Sequence, residues 1–452
     1  MAKKRTKYVC NSCGASSPRY LGKCPHCEAW ESYVEEIIAA PEPTKARGAR
    51  SSATRAEITT LDAVDLEHAA RISSGIGEFD RVLGGGIMPG SIVLVGGDPG
   101  VGKSTLMAQM CAGLDRMPVL YITGEESLEQ VAMRARRLGL ATDRLRLMAE
   151  TNVEAIIAAA ENHRPRVLVV DSIQVVHSDD SSSAPGSVSQ VRECAAFLTR
   201  FAKRTGTVLF LVGHVTKDGS LAGPKVLEHM IDCSILLEGG HDSRFRTLRG
   251  QKNRFGAVNE LGVFAMTEQG LREVRNPSAI FLDRSSEPAS GSAVMVVWEG
   301  TRPLLVEIQA LVDDSALGNP RRVAVGLEQN RLAMLLAVLH RHGGLQVGDQ
   351  DVFANVVGGV KVLETSADLA LLLAIVSSFR DRQLPRDMVI FGEVGLSGEI
   401  RPVPSGQERL SEAAKHGFRR AIVPKANAPR GDIRGMQVIA VSRLEEALAA
   451  VE

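Results

Sequence analysis

The chain has 452 residues, 44% of them hydrophobic and 23% charged, and its 53 basic residues balance 53 acidic ones. This is an ordinary globular composition, which excludes a disordered chain, a collagen and a general polycation, and the length suffices for about three domains of roughly 150 residues. Apolar runs such as Leu369 to Val376 stop well short of the about 18 residues of a bilayer-spanning helix, and no apolar stretch follows the basic start Met1-Ala2-Lys3-Lys4-Arg5. The sequence therefore predicts no secretory signal and no membrane partner, with the cytoplasm as the compartment.

Four of the seven cysteines, Cys10, Cys13, Cys24 and Cys27, fall in the first 27 residues as two Cys-x2-Cys pairs. Each pair lets two sulfurs reach one ion from a tight turn, and four thiolates with no open position fit structural zinc. Two disulfides are the alternative, which a reducing cytoplasm disfavours. Residues 1–35 are thus expected to form a zinc module whose folding energy comes from the metal. His26 lies between two ligands as a surface residue. Cys111, Cys194 and Cys233 sit in apolar contexts and read as core. Residues 36–57, with Pro41-Glu42-Pro43 and Arg47-Gly48-Ala49-Arg50-Ser51-Ser52, read as a flexible basic linker.

From 58 to 275, apolar runs at Ile92 to Val95, Val119 to Ile122, Val167 to Val170 and Val208 to Val212 alternate with helical segments. That pattern predicts an α/β domain with a parallel sheet covered on both faces. After the first strand, Gly97-Asp98-Pro99-Gly100-Val101-Gly102-Lys103-Ser104-Thr105 satisfies G-x4-G-K-[ST] and leads into the helical run Leu106 to Leu114. In such a loop the glycines let backbone N–H groups wrap phosphates, Lys103 reaches the β/γ oxygens, and the Ser104 hydroxyl joins magnesium. ATP and magnesium are the cofactors implied. Asp171, at the end of the third run, is placed to hold the magnesium through water. Glu125-Glu126 ends the second run, and Glu125 is the expected general base, with Glu126 offsetting the dipole of the helix that starts near Leu128. His214 follows the fourth run, where a sensor of the γ-phosphate would lie.

Further along, Lys252-Asn253-Arg254-Phe255-Gly256 puts two cations around an Asn before a turn, after a strand at Arg246 to Arg249. Those cations could reach a neighbouring subunit's nucleotide or a DNA phosphate. Ser178 to Val188 and Thr216 to Pro224 are polar and rich in Gly and Ser, with Lys217 and Lys225 as candidate phosphate contacts. Neither segment contains an aromatic residue, so backbone contact without sequence preference is expected.

Together, the four-cysteine knuckle, the loop Gly97 to Ser104, Tyr121-Ile122-Thr123-Gly124-Glu125-Glu126-Ser127 and Lys252 to Gly256 closely resemble the bacterial RadA (Sms) family of DNA repair proteins. The resemblance covers essentially the whole chain. It implies a RecA-like ATPase that assembles as a homo-hexameric ring, binds single-stranded and branched DNA, promotes branch migration, and works with the RecA recombinase. Lys103, Glu125, Asp171, Lys252 and Arg254 would carry the chemistry.

Residues 276–292 read as a second linker and 293–452 as a separate α+β domain, with strands at Ala293 to Trp298 and Leu304 to Leu311. Glu364-Thr365-Ser366-Ala367-Asp368 and Gly392 to Ile400 resemble the proteolytic domain of Lon, whose dyad is Ser-Lys. Ser366 falls on the nucleophile position, but Glu408 stands where the lysine belongs, and an acid cannot replace the amine as base. Thr365-x2-Asp368 reads as a helix capping box. A scaffold, widening the ring and offering Arg401, Lys415, Arg419, Arg420 and Lys425 to DNA, is expected over an ATP-dependent protease. A non-enzymatic zinc adaptor is the third alternative, and Glu125, Asp171 and Lys252 together argue against it.

Overall fold

The computed structural model of the chain describes residues 5–10, 15–26, 28–30, 32–38, 70–114, 117–141, 145–181, 183–184, 186–213, 227–239, 244–274, 276–279, 282, 289–315, 319–429, 431, 433 and 435–452. These form two compact units, Met1–Val274 and Arg275–Glu452. At the N-terminus, β1 (Arg5–Cys10), β2 (Ser16–Ser17) and β3 (Tyr33–Ile38) make an antiparallel sheet in the order β2-β1-β3, with Cys10 opposite Tyr33.

The rest of the first unit runs α1 (Gly77–Val82), β4 (Ile92–Gly97), α2 (Lys103–Gly113), β5 (Val119–Thr123), α3 (Leu128–Arg137), β6 (Leu145–Ala149), α4 (Val153–His163), β7 (Val167–Asp171), α5 (Val188–Thr205), β8 (Val208–Val212), β9 (Cys233–Glu238), β10 (Phe245–Asn253), β11 (Leu261–Thr267) and β12 (Gly270–Glu273). The four continuous apolar runs become the four central strands β4, β5, β7 and β8, as continuous hydrophobicity demands of strands buried on both faces. The sheet order is β12-β11-β10-β9-β4-β8-β7-β5-β6, parallel from β9 to β6 and antiparallel from β9 to β12. Strand alternation divides the core in two. Val93, Val95, Tyr121, Val169 and Phe210 pack with Phe79 of α1 and Leu106, Met107 and Met110 of α2. Leu94, Ile122, Leu168 and Leu209 pack with Ile156 of α4 and Leu198 of α5. Cys111, Cys194 and Cys233 are buried, as their contexts predicted, and burial raises all three thiols, Cys194 and Cys233 to about 12.

The second unit contains β13 (Ser292–Glu299), β14 (Arg302–Asp314), β15 (Arg322–Val325), α6 (Gln329–Gly343), β16 (Gln350–Val356), α7 (Asp368–Phe379), β17 (Met388–Ile390), β18 (Glu393–Val394), β19 (Ile400–Arg401), α8 (Gly406–Lys415), β20 (Arg420–Pro424), β21 (Gln437–Val441) and α9 (Leu444–Ala449). Seven strands form a mixed sheet in the order β15-β16-β14-β13-β17-β20-β21, and β18 pairs with β19. The apolar run Leu369 to Val376 is the middle of α7, buried on every side from Asp368 to Ser377. Among the described residues no helix is long and apolar enough to cross a membrane. Truncating a core side chain such as Leu372 to alanine should cost about 2–5 kcal/mol.

Two sequence expectations fail around Ser366. The capping box does not form. Helix α7 has Ala367 at its N-cap, the Thr365 hydroxyl donates instead to Glu393 Oε2 at 2.8 Å, and Asp368 is buried against Arg331 and the Val394 N–H, 3.0 Å from Arg331 Nε. A single turn of 3-10 helix at Thr365–Ala367 precedes α7 and moves its start past the threonine. Nor does Glu408 face Ser366. It is exposed, and the next residue, Arg409, turns inward at 1% exposure, because buried positions of α8 fall at Arg409, Leu410 and Ala413. Arg409 Nη1 lies 3.3 Å from Ser366 Oγ, and its guanidinium pairs with Glu364 at 2.7 and 2.9 Å and with the Val296 carbonyl. Arginine does not deprotonate in proteins, so the group beside Ser366 cannot serve as its base. The registration that put Glu408 at the dyad position was one residue off; Ser366 still lacks a lysine.

Candidate nucleotide site and zinc module

Gly97 to Thr105 spans the turn from β4 into α2, which is the strand-loop-helix setting its motif requires. A Cβ at Gly97 would stand 2.5 Å from the Leu237 carbonyl of β9, and Gly102, the N-cap of α2, has φ of 114°. Both positions exclude other residues for the backbone reason alone. Asp98, Pro99 and Gly100 are exposed at the crest of the loop; Val101 is buried, and Ser104 and Thr105 are half-buried in the first turn of α2. The N–H groups of that turn have no helical partners and point out of the N-terminus, as anion binding needs.

Lys103 is buried, and its ammonium donates to the carbonyls of Gly97 at 2.7 Å and Asp98 at 2.9 Å. Burial pulls its pKa below the ordinary lysine value, opposed by the charges of Asp171, Asp98 and Glu125. Two of these acids, Asp171 and Glu125, are those to which the sequence assigned metal and base, and the third, Asp98, belongs to the phosphate loop itself. Asp171 ends β7, and Thr123 at the end of β5 is its register partner.

Glu125 and Glu126 are separated by their partners. Glu126 forms an ion pair with Arg134 of α3, while α3 itself is capped by Ser127 and Gln130 in a capping box. Glu125 points the other way and accepts from Ser172 Oγ at 2.5 Å. That leaves Glu125, and not Glu126, beside the residue that follows Asp171.

Three further groups shape this site without having been assigned a role from the sequence. Arg246 of β10, nearly buried, donates from Nε to the Val101 carbonyl at 3.2 Å and so ties the phosphate loop to the antiparallel part of the sheet. Tyr121 of β5 is 1% exposed and donates to Asp171 Oδ2 at 2.5 Å; burial above all, and then Asp171, raises its phenol well above the usual range, so it stays a donor. Ser172 holds Glu125. Tyrosine in an apolar strand is the one faint hint, because a buried hydroxyl needs a partner.

Lys252 and Asn253 belong to β10 itself, which runs past the expected end at Arg249 with a register shift between Gly250 and Lys252. They pair with Ser234 and Cys233, and those with Leu94 and Val93, at the start of β4, whereas the phosphate loop leaves from its other end. The separation along the strand is roughly 10 Å or more at about 3.3 Å per residue. Lys252 turns further away, donating to the carbonyls of Glu228 and of Ile231, the latter at 3.0 Å. Arg254 is half-exposed and pairs with the buried Asp232 at 3.2 Å, which also binds Lys203 at 2.5 Å and accepts from the Ile92 N–H at 3.1 Å. The turn through Phe255 and Gly256 packs against Gly84, held by Arg71, which donates to the carbonyls of Phe255, Leu83 and Gly86. His214, Lys217, Lys225 and all of Thr216 to Pro224 lie outside the described residues. Of the other polar segment, Ser178 is buried and donates to Glu154 of α4, so the segment starts tied to that helix.

In the N-terminal module, the Cys10 N–H donates to the Ala15 carbonyl and the Cys24 N–H to the Ala29 carbonyl, both at 2.9 Å. The two knuckles close in the same way, five residues on from the first cysteine. Cys10 and Cys24 are fully buried and share one small cluster with Tyr33. Two such sulfurs in one cluster, each at the mouth of a matching turn, fit a zinc ion; Cys13 and Cys27 lie outside the described residues.

Family models match three parts of the chain. Residues 59–220 match the family described as an AAA domain, 8–35 a rubredoxin metal binding domain, and 318–427 subunit ChlI of Mg-chelatase. The chain is 66% identical over 451 residues to the DNA repair protein RadA of Escherichia coli K12, covering 98% of both chains. It is 60% identical to that of Pseudomonas aeruginosa over 100% of both, and 49% identical to that of Bacillus subtilis over 99% of both. A solved KaiC-like protein from Pyrococcus horikoshii, 21% identical, covers 46% of the chain with a TM-score of 0.39 and itself to 99%. The protein is an ATPase that uses ATP and magnesium, with a zinc ribbon before it and a Lon-like α+β domain after it. On full-length identity of this extent, the chain belongs to the RadA family of DNA repair proteins.

Proposed function

We propose that this chain is a DNA-stimulated ATPase motor of homologous recombination and repair, binding single-stranded and branched DNA and driving branch migration as a homo-hexameric ring in the cytoplasm, alongside the RecA recombinase. Gly97, Asp98, Pro99, Gly100, Val101, Gly102 and Thr105 would form the cradle, Lys103 would neutralise the β/γ oxygens, and Ser104 and Asp171 would hold magnesium. When bound, magnesium withdraws charge from the phosphates. Glu125 receives the proton of the attacking water. Cys10, Cys13, Cys24 and Cys27 hold one zinc; metal analysis that still returns a full equivalent from a Cys24→Ser protein would refute this ligand set.

The ring reading is carried by one observation. The Lys252–Gly256 motif lies at the end of antiparallel β10 that sits level with the start of β4, whereas the phosphate loop leaves from the far end of β4, which supports a motif that serves a neighbour's nucleotide rather than its own. A head-to-tail neighbour can present it there, and head-to-tail contacts close into rings when their rotation permits. Lys252 and Arg254 would then act across the interface as arginine-finger-like cations, an effect worth roughly a thousandfold or more in other phosphoryl-transfer enzymes. DNA affinity must come from local basic segments, because the net charge is zero, and it should fall steeply with salt.

Mixing tests this directly. Lys252→Ala should bind nucleotide but lose DNA-stimulated hydrolysis, and Lys103→Ala should lose hydrolysis altogether. Mixed together, the two regain part of the activity, since an intact loop on one subunit meets an intact Lys252 on the next. Mixtures that stay dead, or a Lys252→Ala protein that migrates DNA branches normally, would sink the reading.

A further inference from the structure

Asp171 and Glu125 lie at the ends of adjacent strands, close enough that both act on the charge of Lys103. Their tasks differ, since one holds a metal and the other moves a proton. Each carboxylate accepts a hydroxyl hydrogen bond, Asp171 from Tyr121 of β5 and Glu125 from Ser172 just past the end of β7. The Tyr121 ring sits in the core layer between β5 and α2, where a phenylalanine would fill the same space. Its hydroxyl adds a single bond, to Asp171 Oδ2 at 2.5 Å. Tyr121 lies on the same sheet face as Val169 and Asp171, two positions back on the adjoining strand, so its side chain reaches the carboxylate by leaning along the strand. Ser172 is 1% exposed and is the N-cap of the 3-10 turn Ile173–Val175, yet its side chain makes no capping bond. Its Oγ goes to Glu125 Oε1 at 2.5 Å.

We propose that Tyr121 and Ser172 are positioning residues that keep the two carboxylates in separate roles, Tyr121 fixing the rotation of Asp171 for magnesium and Ser172 fixing the orientation in which Glu125 takes the proton of water. This rests on the assignment of Asp171 and Glu125 above. Losing a hydrogen bond to a charged group is worth about a tenfold change or more. In the full-length protein, Tyr121→Phe should raise the magnesium concentration for half-maximal ATP hydrolysis about tenfold, with the KM for ATP at saturating magnesium unchanged. Ser172→Ala should lower kcat about tenfold with the magnesium requirement unchanged, and Ser172→Thr, which restores a hydroxyl, should recover most of it. Added to Asp171→Asn, Tyr121→Phe should change nothing further; added to Glu125→Gln, Ser172→Ala should change nothing further.

A wild-type magnesium titration for Tyr121→Phe, beside an impaired Asp171→Asn, overturns the Tyr121 role. An unchanged kcat in Ser172→Ala, or a Ser172→Thr protein that folds and binds ATP but stays as slow as alanine, overturns that of Ser172. Failure of the underlying assignment shows elsewhere, as normal magnesium dependence in Asp171→Asn or a wild-type rate in Glu125→Gln.

Discussion

The end of β7 and the start of α7 are built from similar parts. Each brings a serine, carboxylates and one buried cation to the junction of a strand or turn with a helix, and the cations have opposite fates. Lys103 is held by two carbonyls of the very loop that would bind phosphate, and the charges of Asp171, Asp98 and Glu125 act on it there. Arg409 is closed on Glu364, on the Val296 carbonyl and on Ser366. A lysine on a glycine loop can exchange backbone partners for phosphate at small cost. An arginine locked by a carboxylate at 1% exposure has no such exchange available, because the partner left behind would be an uncompensated charge. The first arrangement suits chemistry and the second suits a scaffold.

That contrast can be broken by substitution at either end. The largest effect expected is for Lys103→Ala, which should lower ATP turnover by at least about a hundredfold, the scale of losing one preorganised electrostatic contact to a transition state. Turnover measured on folded, DNA-binding protein checks it. Glu125→Gln follows, binding ATP but turning it over about a hundredfold more slowly; hydrolysis at the wild-type rate would transfer the base to another group. In the second unit, Arg409→Met should leave ATP hydrolysis per folded chain unchanged and cost about 3 kcal/mol of stability, as expected for breaking a buried pair, reduced where Glu364 reaches solvent. Denaturant unfolding of the C-terminal transition reads this out, and a loss under about 0.5 kcal/mol would mean that the pair is not structural. The smallest effect is that of Ser366→Ala. It removes one long hydrogen bond, should cost about 1 kcal/mol, and should alter no peptide-cleaving activity; a real peptidase abolished by this change would overturn the scaffold reading.

Much of this was legible in the sequence. The central strands were visible because strands buried on both faces must be apolar throughout, and the phosphate loop because glycine, lysine and serine at those spacings serve one local geometry. Asp171 and Glu125 could be read as strand-end acids. Local chemistry fixes each of these, with little dependence on distant parts of the chain. The rest depended on which distant residues meet. A one-residue rotation of α8 decides whether Glu408 or Arg409 faces Ser366, and helical periodicity in a short, mixed segment does not resolve one residue. A 3-10 turn cost Thr365 its capping role. Tyr121, Ser172 and Arg246 became part of the site through register between strands far apart in sequence, and the distance of Lys252 from its own phosphate loop follows from the parallel pairing of β4 and β9. Composition and spacing thus determined which chemistry the chain carries. Tertiary structure alone decided which side chains hold that chemistry in place, because hydrogen bonds between strands depend on registers that no single segment encodes.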